Sequence, residues 1–338
     1  MRLFGKDLTR ELVVIAEIGV NHEGNADVAC ALVRLAAEAG ADAVKFQTYT
    51  PERYIAANDT DRLARVTRFA LDEAAHRRIA GEAARVGIQF FSTAVSEDVV
   101  PFLADLCPAL KIASGDLTFE PVIRAAARTG KPVILSTGGG TLDEIDRAVA
   151  WVRTEVGEVA LAERLALMQC VSAYPTPIEQ ANVRAVPVLK ERYGLATGYS
   201  NHVVGPDACL AAVALGAQLI EVHVTDRKED RAFRDHALSF EPSELAQLVA
   251  QLSRVRSSLG GFTKERQPAE MTSLAAMRKG VVAARDLAVG AQLQAADLMY
   301  ARPASEFSAA DLPLLIGARL KTALRRGELV RRAAVDFD

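Results

Sequence analysis

The chain has 338 residues, enough for two domains of about 150 residues each or for one large barrel with an appendage. Half of the residues are hydrophobic and 25% are charged, which excludes a disordered or collagen-like chain. Lys and Arg number 40 against 43 Asp and Glu, so the net charge is −3, without the basic excess a nucleic-acid binder usually carries. In chain order, short β-branched runs read as strands at residues 13–18, 43–46, 89–92, 110–113, 132–136, 165–169, 195–198 and 219–223. Ala-rich amphipathic stretches between and after them read as helices at 27–39, 71–86, 97–106, 119–129, 142–152, 182–192, 206–215 and 242–259. Gly40, Gly87, Gly130, Gly194 and Gly216 stand where those helices end and the next strand begins. Eight strands, each followed by a helix, predict a (β/α)8 TIM barrel. A doubly wound open sheet is the competitor, but it favours a GxGxxG turn after its first strand, and none follows Ile18.

The pattern breaks at Gly260-Gly261. The expected organisation is a catalytic barrel over 1–260, a polar linker over 261–272 and a small domain of short strands and turns over 273–338. That last segment has brief apolar runs at 280–283, 314–316 and 328–330. From Ala276 onward there are ten Lys or Arg and seven Asp or Glu, so a slightly basic appendage follows an acidic barrel. Such a charge split suits a cap over an anionic substrate, and a chance distribution of surface charge would look the same. No apolar run reaches the ~18–20 residues of a membrane span. The N-terminus lacks the apolar core of a secretion signal. Cys30, Cys107, Cys170 and Cys209 lie far apart in apolar segments. They read as buried free thiols of a reducing compartment, which makes the cytoplasm the expected location.

Barrel chemistry sits at the C-terminal ends of strands and in the loops that follow. Here those positions hold Glu17, Lys45 and Gln47, Ser92-Thr93, Lys111 and Ser114, Ser136-Thr137-Gly138, Ser172 and Tyr174, Ser200 and His202, and His223. Asp235 follows as a second carboxylate for the same mouth. Two lysines among hydroxyls suit a phosphate, although a barrel lysine also suits a Schiff base. His202 and His223 end neighbouring strands and suit a divalent metal with waters, or a hydrogen-bonded core. Gly138-Gly139-Gly140 before a helix suits an anion or a plain capping turn. His22 is expected to shape the first loop and His76, in a charged stretch, to lie on the surface. His236 reads equally as a third site histidine or a loop residue.

Several strings resemble the sialic acid synthases, the phosphoenolpyruvate-dependent nonulosonate synthases. They are Ala16-Glu17-Ile18-Gly19-Val20-Asn21-His22-Glu23-Gly24, Val44-Lys45-Phe46-Gln47-Thr48 and Lys111-Ile112-Ala113-Ser114-Gly115-Asp116. Leu135-Ser136-Thr137-Gly138, Gln169-Cys170-Val171-Ser172-Ala173-Tyr174-Pro175, Gly198-Tyr199-Ser200-Asn201-His202 and Glu221-Val222-His223-Val224-Thr225 continue them. The likeness runs from about residue 12 to the C-terminus, and Arg302-Pro303 resembles the Arg-Pro-Gly of a C-terminal antifreeze-like (SAF) domain. It implies a transferase that condenses phosphoenolpyruvate with an open-chain N-acylamino hexose. The acceptor would be N-acetylmannosamine or a di-acylamino-dideoxy hexose. The products would be a nine-carbon 3-deoxy-2-keto acid of sialic, pseudaminic or legionaminic type, and phosphate.

The resemblance further implies a divalent metal on His202 and His223, Mn²⁺ first, with Mg²⁺ or Co²⁺ as alternatives. Lys45, Thr93, Lys111, Ser114, Ser136 and Ser200 would bind phosphoenolpyruvate. Gln47, Ser172, Tyr174, Asp235 and Arg302 would bind the sugar, and Glu17, Lys45, Lys111 and Asp235 would be the catalytic groups. Arg302 would reach in from the partner of a domain-swapped homodimer. The chain departs from the pattern at Ala94-Val95 where Pro-Phe is usual, at Asn201 for Asp, at Ser172 for Asn and at Ala304-Ser305 for Gly. The stretch 225–235 is dense in charge and would face the sugar. These changes bear on the acceptor more than on the phosphoenolpyruvate chemistry. A Schiff-base pyruvate aldolase and a non-catalytic sugar-binding relative are the alternative functions.

Overall fold

The computed structural model describes residues 1–231 and 233–337. The chain divides into two compact units, residues 1–260 and residues 261–338. In the first, eight parallel strands close into a barrel: β1 (Val13–Gly19), β2 (Ala43–Thr48), β3 (Gln89–Ala94), β4 (Leu110–Ile112), β5 (Val133–Ser136), β6 (Leu165–Cys170), β7 (Ala196–Asn201) and β8 (Leu219–His223). They pair in chain order, and β8 closes on β1 with His223 opposite Glu17. The open-sheet alternative is thereby ruled out.

Eight helices follow the strands: α1 (Ala26–Glu38), α2 (Glu73–Val86), α3 (Val100–Leu106), α4 (Glu120–Arg128), α5 (Leu142–Val156), α6 (Ala185–Tyr193), α7 (Asp207–Ala214) and α8 (Pro242–Ser258). Each begins where local chemistry allows. The Asn25 side chain accepts from the amides of Asp27 and Val28, and Ala29, Leu32, Val33 and Ala36 then form the buried stripe of α1. Asp72 accepts from Ala75 N, so α2 starts two residues later than its apolar pattern suggests. The stretch expected as one helix from Glu97 begins as a 3₁₀ turn, and the α-helix starts at Val100 with Pro101 in its first turn. Thr141 and Glu144 form a capping box on α5. That helix runs past the expected 152, and Gly157 separates it from a second short helix, Glu158–Arg164.

Two further differences lie near the site. Strand β7 extends to Asn201 rather than ending at Gly198, because Tyr199 is an apolar core residue and Ser200 continues the ladder opposite Glu221. Between β2 and α2 the chain forms short helices at Pro51–Tyr54 and Thr60–Phe69, where no element was expected.

The C-terminal unit has its own core of Val281, Leu293, Phe307, Leu315, Leu320 and Val330. Gly280–Ala283 pairs antiparallel with Leu298–Ala301, and Arg319–Leu320 with Val335–Asp336. The apolar run at 314–316 falls partly in a helical turn, Leu312–Leu315, which carries Pro313 in its first turn. Residues 261–272 are exposed throughout. No described helix is long and apolar enough to cross a membrane.

Candidate active site

One cavity of about 1280 Å³ opens at the C-terminal end of the barrel. Thirteen of the residues expected in the site line it: Glu17, Lys45, Gln47, Thr93, Lys111, Ser114, Ser136, Ser172, Tyr174, Ser200, His202, His223 and Asp235; Ser92, Thr137 and Gly138 do not. The period-two alternation of the strands accounts for this convergence. Lys45 and Gln47 on β2 point inward together, as do Ser200 on β7 and Glu221 and His223 on β8. The alternate residues face away. Ser92 Oγ therefore meets Thr48 Oγ1 at 2.7 Å behind the barrel wall, and Thr137 Oγ1 donates to the Met168 carbonyl at 3.0 Å.

The floor of the cavity is a buried charge network. Lys45 Nζ lies 2.8 Å from Glu17 Oε2 and 3.7 Å from Glu221 Oε1, and donates to Thr93 Oγ1 at 3.0 Å. Lys111 Nζ lies 3.1 Å from both Glu221 oxygens, and Ser200 Oγ donates to Glu221 at 2.9 Å. Burial disfavours every charge here, and the partners decide the outcome. For Glu221, burial is outweighed by Lys111 and Lys45, which hold its carboxyl well below the usual range. Burial raises Glu17 despite Lys45. It works against the Lys45 cation too, but Glu17 and Glu221 raise that group; Lys111 is lowered by burial, with Glu221 as the main offset. Glu221 thus anchors both lysines. The sequence reading missed it as a site residue, although its place two residues before His223 put it on the same inward face.

Beside the lysines, Gly138 N donates to Ser114 Oγ at 3.0 Å. A side chain at Gly138 would press on the hydroxyls of Ser172 and Ser114, at 2.7 and 2.8 Å from its Cβ, so the close loop approach needs glycine. Ser136 Oγ is buried without a hydrogen-bond partner. Such an orphan at the edge of a lysine pair is what an absent anion would satisfy.

The two histidines stand side by side, with ring centroids 5.2 Å apart and Tyr174 packed 4.0 Å from His202. The Val171 carbonyl lies 2.7 Å from His202 Nδ1 and can only accept, so Nδ1 carries the proton and Nε2 keeps its lone pair. His223 Nδ1 is buried with no partner. Burial lowers both imidazoles, and His202 lowers His223 further, so both stay neutral and able to ligate. Among the described residues no group of three or more His, Cys, Asp or Glu is arranged to hold a metal.

At the rim, burial raises the Asp235 carboxyl against the pull of Arg234, whose Nε lies 3.2 Å away. Asp230, Arg231 and Arg234 of the charged stretch line the cavity. His236 is buried; its Nδ1 lies 2.7 Å from Thr225 Oγ1 and its Nε2 3.2 Å from Glu23 Oε1. It therefore positions Glu23, which lines the cavity. His22 Nδ1 accepts from Gly24 N at 3.0 Å, as expected of a loop-shaping residue. His76 is a correction. It is buried and bonds Thr48 Oγ1 at 2.8 Å, because Ile79 and Ala83 continue its face of α2 into the core. Arg302 is an exposed residue of the C-terminal unit, its Nε donating to the Met277 carbonyl at 2.6 Å. All four cysteines are buried and free, as read from their spacing.

A closed eight-stranded barrel with lysines, carboxylates, hydroxyls and neutral histidines converging at its C-terminal mouth defines a TIM-barrel protein with a charged cleft where such barrels place their chemistry. Residues 32–264 match the NeuB family, and residues 278–336 match the SAF domain. The chain is 34% identical to the N,N'-diacetyllegionaminic acid synthase of Campylobacter jejuni over 95% of its own length and 99% of that protein's. It is also 34% identical to the human N-acetylneuraminate-9-phosphate synthase, covering 80% of this chain and 77% of that one. A crystal structure of the N-acetylneuraminic acid synthetase of Leptospira borgpetersenii, in complex with citrate, superposes with a TM-score of 0.73 at 33% identity, over 78% of this chain and 90% of that one. The chain belongs to the NeuB family and carries a SAF domain.

Proposed function

We propose that this protein condenses phosphoenolpyruvate with an open-chain N-acylamino hexose, giving a nine-carbon 3-deoxy-2-keto acid and phosphate. The observation that carries the reading is the Lys45–Glu17 and Lys111–Glu221 network beside the unpartnered Ser136 hydroxyl. A doubly anionic substrate would complete that arrangement. The names of the relatives, which are synthases of legionaminic and sialic acid type, support the same chemistry.

Lys45, Lys111, Thr93, Ser114, Ser136 and Ser200 would hold the phosphate and carboxylate of phosphoenolpyruvate. Gln47, Ser172, Tyr174 and Asp235 would orient the sugar so that its aldehyde carbon faces C3 of the enol. Formation of the new C–C bond places negative charge on the aldehyde oxygen. Glu17, raised by burial, is the group suited to give that oxygen a proton. Water then adds at C2, giving one proton back to the Glu17 carboxylate; the bond from C2 to the bridging oxygen breaks as the new hydroxyl becomes the keto group, and its proton leaves with phosphate. The neutral His202 and His223 fit a divalent metal, Mn²⁺ first, with water or substrate oxygens as its remaining ligands. When bound, such an ion supplies Lewis-acid polarisation of the aldehyde. Arg302, reaching from the SAF domain of a second subunit in a domain-swapped homodimer, would contact the N-acyl group.

The test is phosphate release across a panel of N-acylamino hexoses, with phosphoenolpyruvate and Mn²⁺ supplied and then each omitted. Release that needs all three supports the reading. Borohydride trapping of pyruvate on a lysine, with no phosphate release, would instead establish the Schiff-base aldolase.

A further inference from the structure

The condensation set out above gives no role to Glu23 or His236, and the two are joined. His236 Nε2 lies 3.2 Å from Glu23 Oε1, and His236 Nδ1 lies 2.7 Å from Thr225 Oγ1. The histidine side chain is 1% exposed and the glutamate side chain 36%. Burial lowers the imidazole against the pull of Glu23 and Asp226, with Arg231 adding to burial, so the ring is neutral at pH 7. A carboxylate can only accept, so Nε2 carries the ring's one proton and Nδ1 accepts from the Thr225 hydroxyl. Both ring nitrogens are satisfied, and what the ring holds in place is one oxygen of Glu23.

The backbone holds the same carboxylate in the same direction. Glu23 has φ +50°, a left-handed conformation that a residue with a Cβ rarely adopts and that persists only where its surroundings enforce it. Glu23 N donates to the Val20 carbonyl at 2.8 Å, and Gly24 N donates to His22 Nδ1 at 3.0 Å. Asn21 Nδ2 donates to the Val224 carbonyl at 2.8 Å and to Ser239 Oγ at 3.0 Å, and Ser239 Oγ donates to the Asp235 carbonyl at 2.6 Å. The loop after β1 is therefore tied to the short turn Asp235–Leu238, on which Asp235 and His236 are adjacent. Glu23 and Asp235 both line the cavity. Glu23 stands four residues past Gly19, the end of β1, whereas Lys45 and Lys111 lie within β2 and β4. Asp235 has Arg234 as a partner; among the described residues no Lys or Arg pairs with Glu23.

We infer that Glu23 binds the acceptor sugar, its second carboxylate oxygen accepting a hydrogen bond from a hydroxyl or amide N–H, and that His236 is the positioning residue that aims it. The inference rests on the condensation reading, which puts phosphoenolpyruvate on the lysine floor and the acceptor beside Asp235. It makes the loop after β1 a determinant of acceptor specificity. A fixed carboxylate that an analogue leaves without its donor discriminates more sharply than an apolar contact does.

The experiment is a cycle between protein and substrate. The probes are N-acetylmannosamine, its analogues lacking each hydroxyl in turn, and mannose 2-acetate, in which an ester replaces the amide. With the wild type, the analogue missing the bonded donor should lose about 10–100-fold in kcat/KM, the loss expected for a charge-assisted hydrogen bond. Glu23→Ala should lose a similar factor on N-acetylmannosamine and nothing further on that analogue. His236→Ala should raise KM for N-acetylmannosamine and leave KM for phosphoenolpyruvate unchanged, and His236→Gln, whose amide N–H can still reach Glu23, should recover part of the loss. An unchanged acceptor KM in Glu23→Ala, or equal losses by that variant on every analogue, would overturn the inference and leave the condensation intact. A rise in both KM values with His236→Ala would remove the positioning role. Glu23 is partly exposed, so its variant decides the contact even where His236→Ala fails to fold. If no probe releases phosphate, the condensation reading itself fails. Saturation-transfer NMR with N-acetylmannosamine then decides the contact alone: binding lost in Glu23→Ala supports it, and equal or absent binding overturns it.

Discussion

Replacing Glu221 with Gln tests whether the lysine pair is balanced as the geometry indicates. The substitution keeps an acceptor oxygen for Ser200 Oγ, now 2.9 Å from the carboxylate, and removes the charge that both lysines share. Lys111 has both its Glu221 contacts at 3.1 Å, and Lys45 loses its partner at 3.7 Å. Lys111 would then have no carboxylate contact, and Lys45 only Glu17, itself raised by burial. Removing one partner of a buried ion pair costs about 3–5 kcal/mol, mostly because the other charge is stranded. For a unit of this size that corresponds to a fall in Tm of about 6–15 °C. The stranded charges also predict a signature beyond lost stability. Inorganic phosphate or phosphoenolpyruvate should raise the Tm of Glu221→Gln more than that of the wild type, because the anion replaces the missing carboxylate. Thermal unfolding with and without each anion measures both effects. A fall of less than about 2 °C, with equal anion responses in the two proteins, would refute the reasoning.

Other predictions follow from the same site. Ser136→Ala should raise KM for phosphoenolpyruvate about tenfold and leave KM for the sugar unchanged in steady-state kinetics, since the hydroxyl has no protein partner to lose. Burial lowers His22 to about 4, with the neighbouring His76 adding to the shift. The unfolded chain therefore binds more protons than the native one between about pH 6.5 and pH 4, and stability must fall as pH drops through that window. His22 contributes a loss of roughly 3 kcal/mol by pH 4, visible in thermal unfolding against pH, and His22→Asn should flatten that slope. Arg302→Ala should raise KM for the sugar and spare KM for phosphoenolpyruvate; an unchanged sugar KM would remove the SAF domain from the site.

The barrel was legible because its strands alternate with helices of regular length and glycines mark most of the junctions. The site was legible to the extent that side chains at strand ends declare their face. Glu221 escaped because Leu219, Ile220 and Val222 around it look like an ordinary buried strand, and a carboxylate there reads as polar noise until Lys111 arrives from the far side of the barrel. His76 was read as a surface residue because Arg77 and Arg78 follow it, yet its spacing to Ile79 and Ala83 carries the core signal. The helix Thr60–Phe69 was invisible for a related reason. Its apolar side is three residues wide against a polar remainder, and only packing on Tyr49 and Val95 makes it stable.

The central claim is most directly tested with phosphoenolpyruvate carrying ¹⁸O in the oxygen that bridges C2 and phosphorus, turned over with an accepted hexose. The account predicts that the label leaves entirely in inorganic phosphate, while the keto oxygen of the nine-carbon product comes from water. Label retained in the keto acid, or product formed without phosphate release, would contradict it.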